Sequence, residues 1–498
     1  MKQFRKTHKS PPKRNTKLPK YVPLTSQSLD FESSEDLEHD EDYPSKFSPT
    51  TQLGISTRDL IPVKLNPIGT LGAGRLDPFS SLPMDEPNLY SQELMDHAVT
   101  YLLPGLIPDK APPSESNPLS KEYFSFGLRT PIVFHSLVYS GSNHLDFLRS
   151  SNIFPNAPTP LAHKIVVIQK LKEALSDPSQ ALRDETILAI LVLATQEVFM
   201  SQGNRNPFNS PLPKLGWLNI YGNFRLVPRH IKAIADIVAL RGGLENIQLY
   251  KLAEIIVAGD VTMTTNTLGK PDFPALRIHT ASIAALRAWA ICPPRPLVQT
   301  QATAFWRLRD YGITDSMLQV LDSMGAYTLA ITYYFQGKPF SLGLGEINRT
   351  RLAVQHRLVL LPASEELSFI PSSKPNIYEC CRLAALVFGV AVVYPIPNPH
   401  NVLLELVRRL KTAIECLDVG TFGTNLSGVL LWMLVLGGIA ASDKPERPWF
   451  VSQLALIVRR LDITEWGSIE DTLESFLWLE SACGQGGREL WDEAGCVL

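Results

Sequence analysis

Pro228-Arg-His-Ile-Lys-Ala-Ile-Ala-Asp-Ile-Val-Ala-Leu-Arg-Gly-Gly-Leu244 sets Ile231, Ile234, Ile237 and Val238 three and four residues apart, between a proline and two glycines. That spacing stacks the apolar side chains on one face of an α-helix. Proline suits the first helical turn, where its missing N–H is not needed. At the other end, Gly242-Gly243 can take the left-handed cap that reverses the chain, and Arg241 sets a cation at the negative end of the helix dipole. A second helix is predicted at once, through Leu249, Leu252, Ala253 and Ile256.

The same period extends on both sides. Thr159-Pro160 opens a segment with Ile165, Ile168, Leu171 and Leu175 on one face, and Asp184 precedes Ile187, Ile190, Leu191, Ala194 and Val198. Further on, 377–393 and 429–439 are apolar on most faces and therefore central. Leu403, Leu406, Leu410, Ile414 and Leu417 form a stripe opposite Arg408, Arg409 and Lys411. Residues 449–461 read as amphipathic, and Ser468-Ile-Glu-Asp471 reads as a capping box ahead of Leu473, Phe476 and Leu477. The 336–371 region, with Phe340, Leu342, Leu344 and 359–361, leaves room for two short strands. The expected class is all-α: a large multi-helix bundle or irregular helical array with no fixed repeat, preceded by a disordered N-terminal tail.

Composition bounds the rest. A chain of 498 residues, 45% hydrophobic and with net charge −2, has ample material for a core and cannot coat nucleic acid along its whole surface. No apolar run follows the basic residues after Met1, so no secretory signal is expected. The longest apolar stretches fall short of the roughly 20 residues that cross a bilayer. The six cysteines, at 292, 380, 381, 416, 483 and 496, include no CxxC pair and read as structural thiols of a reducing compartment. Asn348-Arg-Thr350 and Asn425-Leu-Ser427 are then accidental sequons.

Three regions are expected: a disordered tail over 1–67, a lead-in over 68–90 and a helical domain over 91–495. Within the tail, residues 1–20 carry eight Lys or Arg and no acid, broken by Pro11, Pro12 and Pro19. Such a run serves as a nuclear import signal, a weak phosphate-binding arm or a plain solvated tail. Residues 30–42 reverse the sign, with eight acids set beside Phe31, Leu37, Tyr43 and Phe47, as in an activation-type segment or an acidic linker.

Tests for chemistry come back empty. The glycines at 69, 72 and 74 precede Asp-Pro rather than a helix, and Gly343-Leu-Gly345 lacks a third glycine, so no phosphate cradle is expected. The ten histidines never fall four apart, and HExxH, DDxxD and GxSxG patterns are absent. His230 reads as a surface or cap residue. Trp432, Trp449, Trp466, Trp478 and Trp491 read as core filling rather than an aromatic pocket. No residue is assigned to catalysis, to a cofactor or to a metal.

The order of landmarks resembles one family. Gly72-Ala-Gly-Arg-Leu-Asp-Pro-Phe-Ser-Ser-Leu-Pro83, then Pro131-Ile-Val-Phe-His135 through His144-Leu-Asp-Phe-Leu148, then His230 to Leu244, and finally Leu430-Leu-Trp432 through Gly437-Gly-Ile-Ala440, Trp449-Phe450, Trp466, Phe476-Leu-Trp478 and Leu490-Trp491 follow in sequence. Together they resemble fungal-specific transcription-factor-domain proteins, a set sometimes labelled "tachykinin family" in fungal genomes. Regulators of that broader group often carry an N-terminal cluster of six zinc-binding cysteines, whereas the first 291 residues here hold none.

The resemblance implies a nuclear, non-enzymatic regulatory protein without that zinc cluster, acting through its helical domain on protein partners, on a second copy or on a ligand, with DNA contact weak or indirect. A cytosolic helical scaffold and, below it, an α-helical enzyme with an apolar pocket are the alternatives.

Overall fold

The computed structural model describes residues 89–497 except 109–116, 154–156, 197, 200–205, 292–300, 369–375, 398–400 and 418–423. The expected basic and acidic tail, the lead-in over 68–88 and Cys292 lie outside the described residues. Those described all belong to one unit, running from Asn66 to Leu498.

The fold is all-α, as the periodicity requires. The first half holds α1 (Leu89–His97), α2 (Pro118–Gly127), α3 (Pro131–Ser150), α4 (Pro158–Ser176), α5 (Asp184–Gln196), α6 (Pro228–Leu240) and α7 (Leu252–Thr267). The second holds α8 (Arg277–Ile291), α9 (Asp315–Phe335), α10 (Leu344–Val359), α11 (Tyr378–Phe388), α12 (Val402–Glu415), α13 (Thr424–Ala440), α14 (Arg447–Arg460), α15 (Trp466–Glu474) and α16 (Glu480–Val497). Prolines occupy the first turns of α2, α3, α4, α6 and α14. Two helices run on into π-helical turns: α1 into Ala98–Leu102 and α11 into Gly389–Val393.

Packing follows apolarity. Helix α5, buried along most of its length, sits against α3, α6 and α7, while α13, buried nearly all round, is wrapped by α11, α12, α14, α15 and α16. Helix α7 joins the halves by packing on both α5 and α10. One apolar cluster runs from Leu94 to Ala494 through these helices. Gly437 and Gly438 make the C-terminal packing close, since a Cβ would stand 2.4 Å from the Phe450 ring on α14 or 2.4 Å from Leu490 on α16. The tryptophans fill this core: Trp432 and Trp478 are buried, and Trp449, Trp466 and Trp491 pack against it.

The Arg-Gly-Gly stretch is a helix stop with an added tie. Gly242 and Gly243 take φ of 85° and 126°, and the Gly243 N–H donates to Val238 O at 2.9 Å, closing the cap. Arg241 reaches beyond its own helix end: its guanidinium pairs with Asp184 at the start of α5 and donates to Asn246 O. The Asp184 carboxylate also accepts the N–H groups of Gln248 at 2.9 Å and Leu249 at 2.7 Å. This one carboxylate therefore locks α5, the end of α6 and the entry to α7. Removing one partner of a largely desolvated pair strands the other, so Asp184→Ala is expected to cost about 3 kcal/mol. Urea denaturation checks this, and a loss below about 1 kcal/mol would show the lock to be decorative.

Four expectations are corrected. No strand forms in the described part of 336–371; α10 occupies it, and the only strands among the described residues are β1 (Val198–Phe199) and β2 (Phe224–Arg225), paired antiparallel with Val198 opposite Arg225. Leu249 precedes α7 instead of lying within it. Ser468 is no cap, because α15 already begins at Trp466. In α4 the buried side carries His163, Val167 and Ala174, while Ile165 and Leu175 are exposed. The inward face is fixed there by histidine contacts from other helices, which local spacing does not show.

Candidate functional site

Where α5 and α7 meet, the sequence supplies small side chains. Ala258, Gly259 and Thr262 of α7 line the contact with Leu188, Leu191, Val192, Thr195 and Gln196 of α5. Gly259 has ordinary helical φ, and a Cβ built there would meet nothing nearer than Thr195 Cγ2 at 3.8 Å and Leu191 Cδ1 at 3.9 Å. A close-packed interior leaves few such gaps. Here the gap opens into a cavity of about 120 Å³ whose lining is mostly apolar, completed by Leu102, Leu103, Leu106, Tyr123, Leu137 and Tyr394. Within it the Tyr123 hydroxyl is buried with no hydrogen-bond partner among the described residues. Tyr394 shares a 2.8 Å hydrogen bond with Thr262 Oγ1.

A second cavity of about 70 Å³ shares Leu106, Gly216, Ile255, Ala258 and Tyr394 with the first and is far more polar. Its further lining includes Glu254, His279, Asn348, Arg349 and Arg351. Arg351, on α10, is 2% exposed. Its guanidinium donates to the carbonyls of Leu212, at 3.4 Å, and Leu215, and lies over the Tyr394 ring at 5.5 Å. No carboxylate pairs with it among the described residues, and its Nε–H has no acceptor. Burial lowers the pKa of this guanidinium from its ordinary value, yet a guanidinium stays charged in any protein interior. Glu254, the acid on this wall, is engaged by Lys251 at 2.6 Å.

His279 sits beside this chamber, 1% exposed. Its Nδ1 accepts the Leu276 N–H at 3.4 Å, which leaves the ring proton on Nε2, and Nε2 has no partner among the described residues. Burial, with smaller contributions from His356 and Lys251, holds this imidazole down at about 4. Two residues that line the smaller cavity thus each carry a buried N–H with no partner among the described residues, one cationic and one neutral.

Two histidine pairs lie elsewhere in the first half. His97 Nε2 stands 2.8 Å from His144 Nδ1, and His135 Nδ1 stands 2.7 Å from His163 Nδ1, whose Nε2 meets Ser91 Oγ at 2.9 Å. Burial, then Arg149, lowers His97 to about 4; burial, then the neighbouring histidine, lowers His144 to about 3 and His163 to about 4. Each contact needs one neutral ring as acceptor, so these are hydrogen-bonded core groups. Among the described residues no three His, Cys, Asp or Glu side chains gather where they could hold a metal ion. His230, read as a cap residue, lies half-buried in the first turn of α6 and lines neither cavity.

Sequence reading finds neither the cavities nor the histidine pairs. A helical glycine at 259 and an arginine at 351 among the apolar residues of α10 were the available signals. The paired histidines are 47 and 28 residues apart, beyond any test of local spacing.

Residues 93–210 and 352–475 match a family described as the fungal specific transcription factor domain. No curated protein and no solved structure matches the chain. The cavity walls draw on both matched stretches, through Leu102 to Gln196 and through Tyr394, and on the segment between them, through Gly216 to Thr262 and Arg351.

Proposed function

On the premise that this chain carries the fungal specific transcription factor domain, we propose that it is a nuclear transcription-regulatory protein whose helical body acts by binding a partner protein or a small ligand. The family match is the observation that carries this reading, and it supports a regulatory role. The paired cavities supply the physical means for a ligand, since concave, mostly apolar sites with a few polar groups are where small molecules bind. No helix among the described residues is long and apolar enough to cross a membrane.

In this reading the first 291 residues, which hold no cysteine, lack the zinc cluster of related regulators. Promoter contact then comes through partners or through the eight basic residues of 1–20, which attract phosphate without reading bases. Catalysis has no part in it.

Chromatin crosslinking and sequencing of the tagged full chain, beside a version lacking residues 1–43, tests the proposal. Discrete promoter peaks are expected; their loss in the shortened chain assigns recruitment to the arm, and their persistence assigns it to a partner. A flat profile from a well-expressed protein overturns the promoter role and favours the cytosolic scaffold.

A further inference from the structure

A buried cation with no counter-ion is an expensive thing for a fold to keep. Arg351 lies on the wall of an unfilled chamber, and His279 adds a second N–H without an acceptor on the same wall. The larger cavity, which shares five lining residues with it, is mostly apolar and of the same order of size as a cavity that takes benzene. The charge balance around Arg351 favours an anion, since the acid on this wall, Glu254, is already held by Lys251.

We propose that the two cavities form one binding site for a small amphipathic carboxylate, its head between Arg351 and His279 in the smaller chamber and an apolar body of about six carbons in the larger one. The carboxylate offers acceptors to both unpartnered donors at once and neutralises the guanidinium. A phosphate, with more charge and more oxygens, would lack donors here and would meet Glu254. The inference rests on the ligand branch of the regulatory reading and names the chemistry of that ligand. It is tested on purified protein, so it stands or falls separately from promoter occupancy.

The test is calorimetric titration of the full chain at pH 7.5 with three probes of equal shape: phenylacetate, 2-phenylethanol and phenethylamine. Phenylacetate is expected to bind at least about tenfold more tightly than the alcohol, and the amine not measurably, because only the acid sets an anion against the guanidinium. Arg351→Met should erase the preference for acid over alcohol while leaving weak binding of the alcohol.

Gly259→Leu provides the second variant, for which an unfolded Arg351→Met gives no cover. Its Cβ has room, and the rest of the side chain extends into the larger cavity. Binding of both acid and alcohol should vanish with the circular dichroism spectrum and urea midpoint kept. Equal affinity for acid and alcohol, failure of the acid to bind, or acid binding that survives Gly259→Leu would each overturn the proposal.

Discussion

Lowering the pH from 7.5 to 5 is expected to strip about 5 kcal/mol from the folding stability, at least about a third of what a typical domain possesses. The cause is the set of buried neutral imidazoles. In the unfolded chain histidine titrates near 6.5, whereas burial holds His97, His163 and His279 at about 4 and His144 at about 3 in the fold. Between those limits the unfolded chain binds more protons, so stability rises with pH through the window and is lost as pH falls. Each site is worth about 2 kcal/mol by pH 5, and the two members of a contacting pair count once.

Asp260 works against this trend. Its carboxyl is buried, with backbone N–H of Phe273 on Oδ2 at 3.0 Å and nothing on Oδ1. Burial pushes it up from 3.8 to about 6. Here the folded state takes the proton first, so the contribution of this carboxyl falls as pH rises through 4 to 6. One carboxyl offsets about 1 kcal/mol by pH 5 and does not reverse the sign. Urea midpoints measured every half unit should drop steadily below pH 6.5; a flat or rising profile would refute the assignment of neutral histidine pairs. Asp260→Asn should make the acid loss steeper, because the offset disappears.

Trp432→Ala is expected to cost about 4 kcal/mol, the upper range for emptying a core site. Trp432 is fully buried on α13, with Phe305 edge-on at 5.0 Å and Phe476 stacked at 6.2 Å. Its Nε1–H donates to Leu477 O at 2.8 Å, and that hydrogen bond is lost as well. The neighbours cannot collapse into the void, since Gly437 and Gly438 already hold α14 and α16 at their closest approach. Trp432→Phe should recover about half of the loss by refilling volume without the N–H. A denaturation midpoint within error of the parent for Trp432→Ala would mean that the C-terminal helices are loosely packed.

The frame was legible because long-period apolar patterns are local. Ile231 to Val238 with its glycine stop, the Leu403 to Ile414 stripe and the apolar 429–439 run all stand where periodicity puts them. The site was not legible because it is built from exceptions to those patterns. On α10, Arg351, Gln355 and His356 are buried at positions that a hydropathy reading assigns to solvent, and their partners come from the 206–217 segment, from α7 and from Phe273 beyond α7. The same long-range dependence misled the reading of α4, where His163 faces inward because Ser91 and His135 meet it there.

Both π-helical turns border the larger cavity. Leu102 ends the first and Tyr394 follows the second, and both residues line that cavity. A π turn holds one residue more than the α-helix it interrupts. Deleting a single residue, Thr100 or Val392, would return either segment to regular winding while the flanking chain keeps its phase. A one-codon deletion at either place is thus the smallest inherited change that could reshape the wall of this cavity.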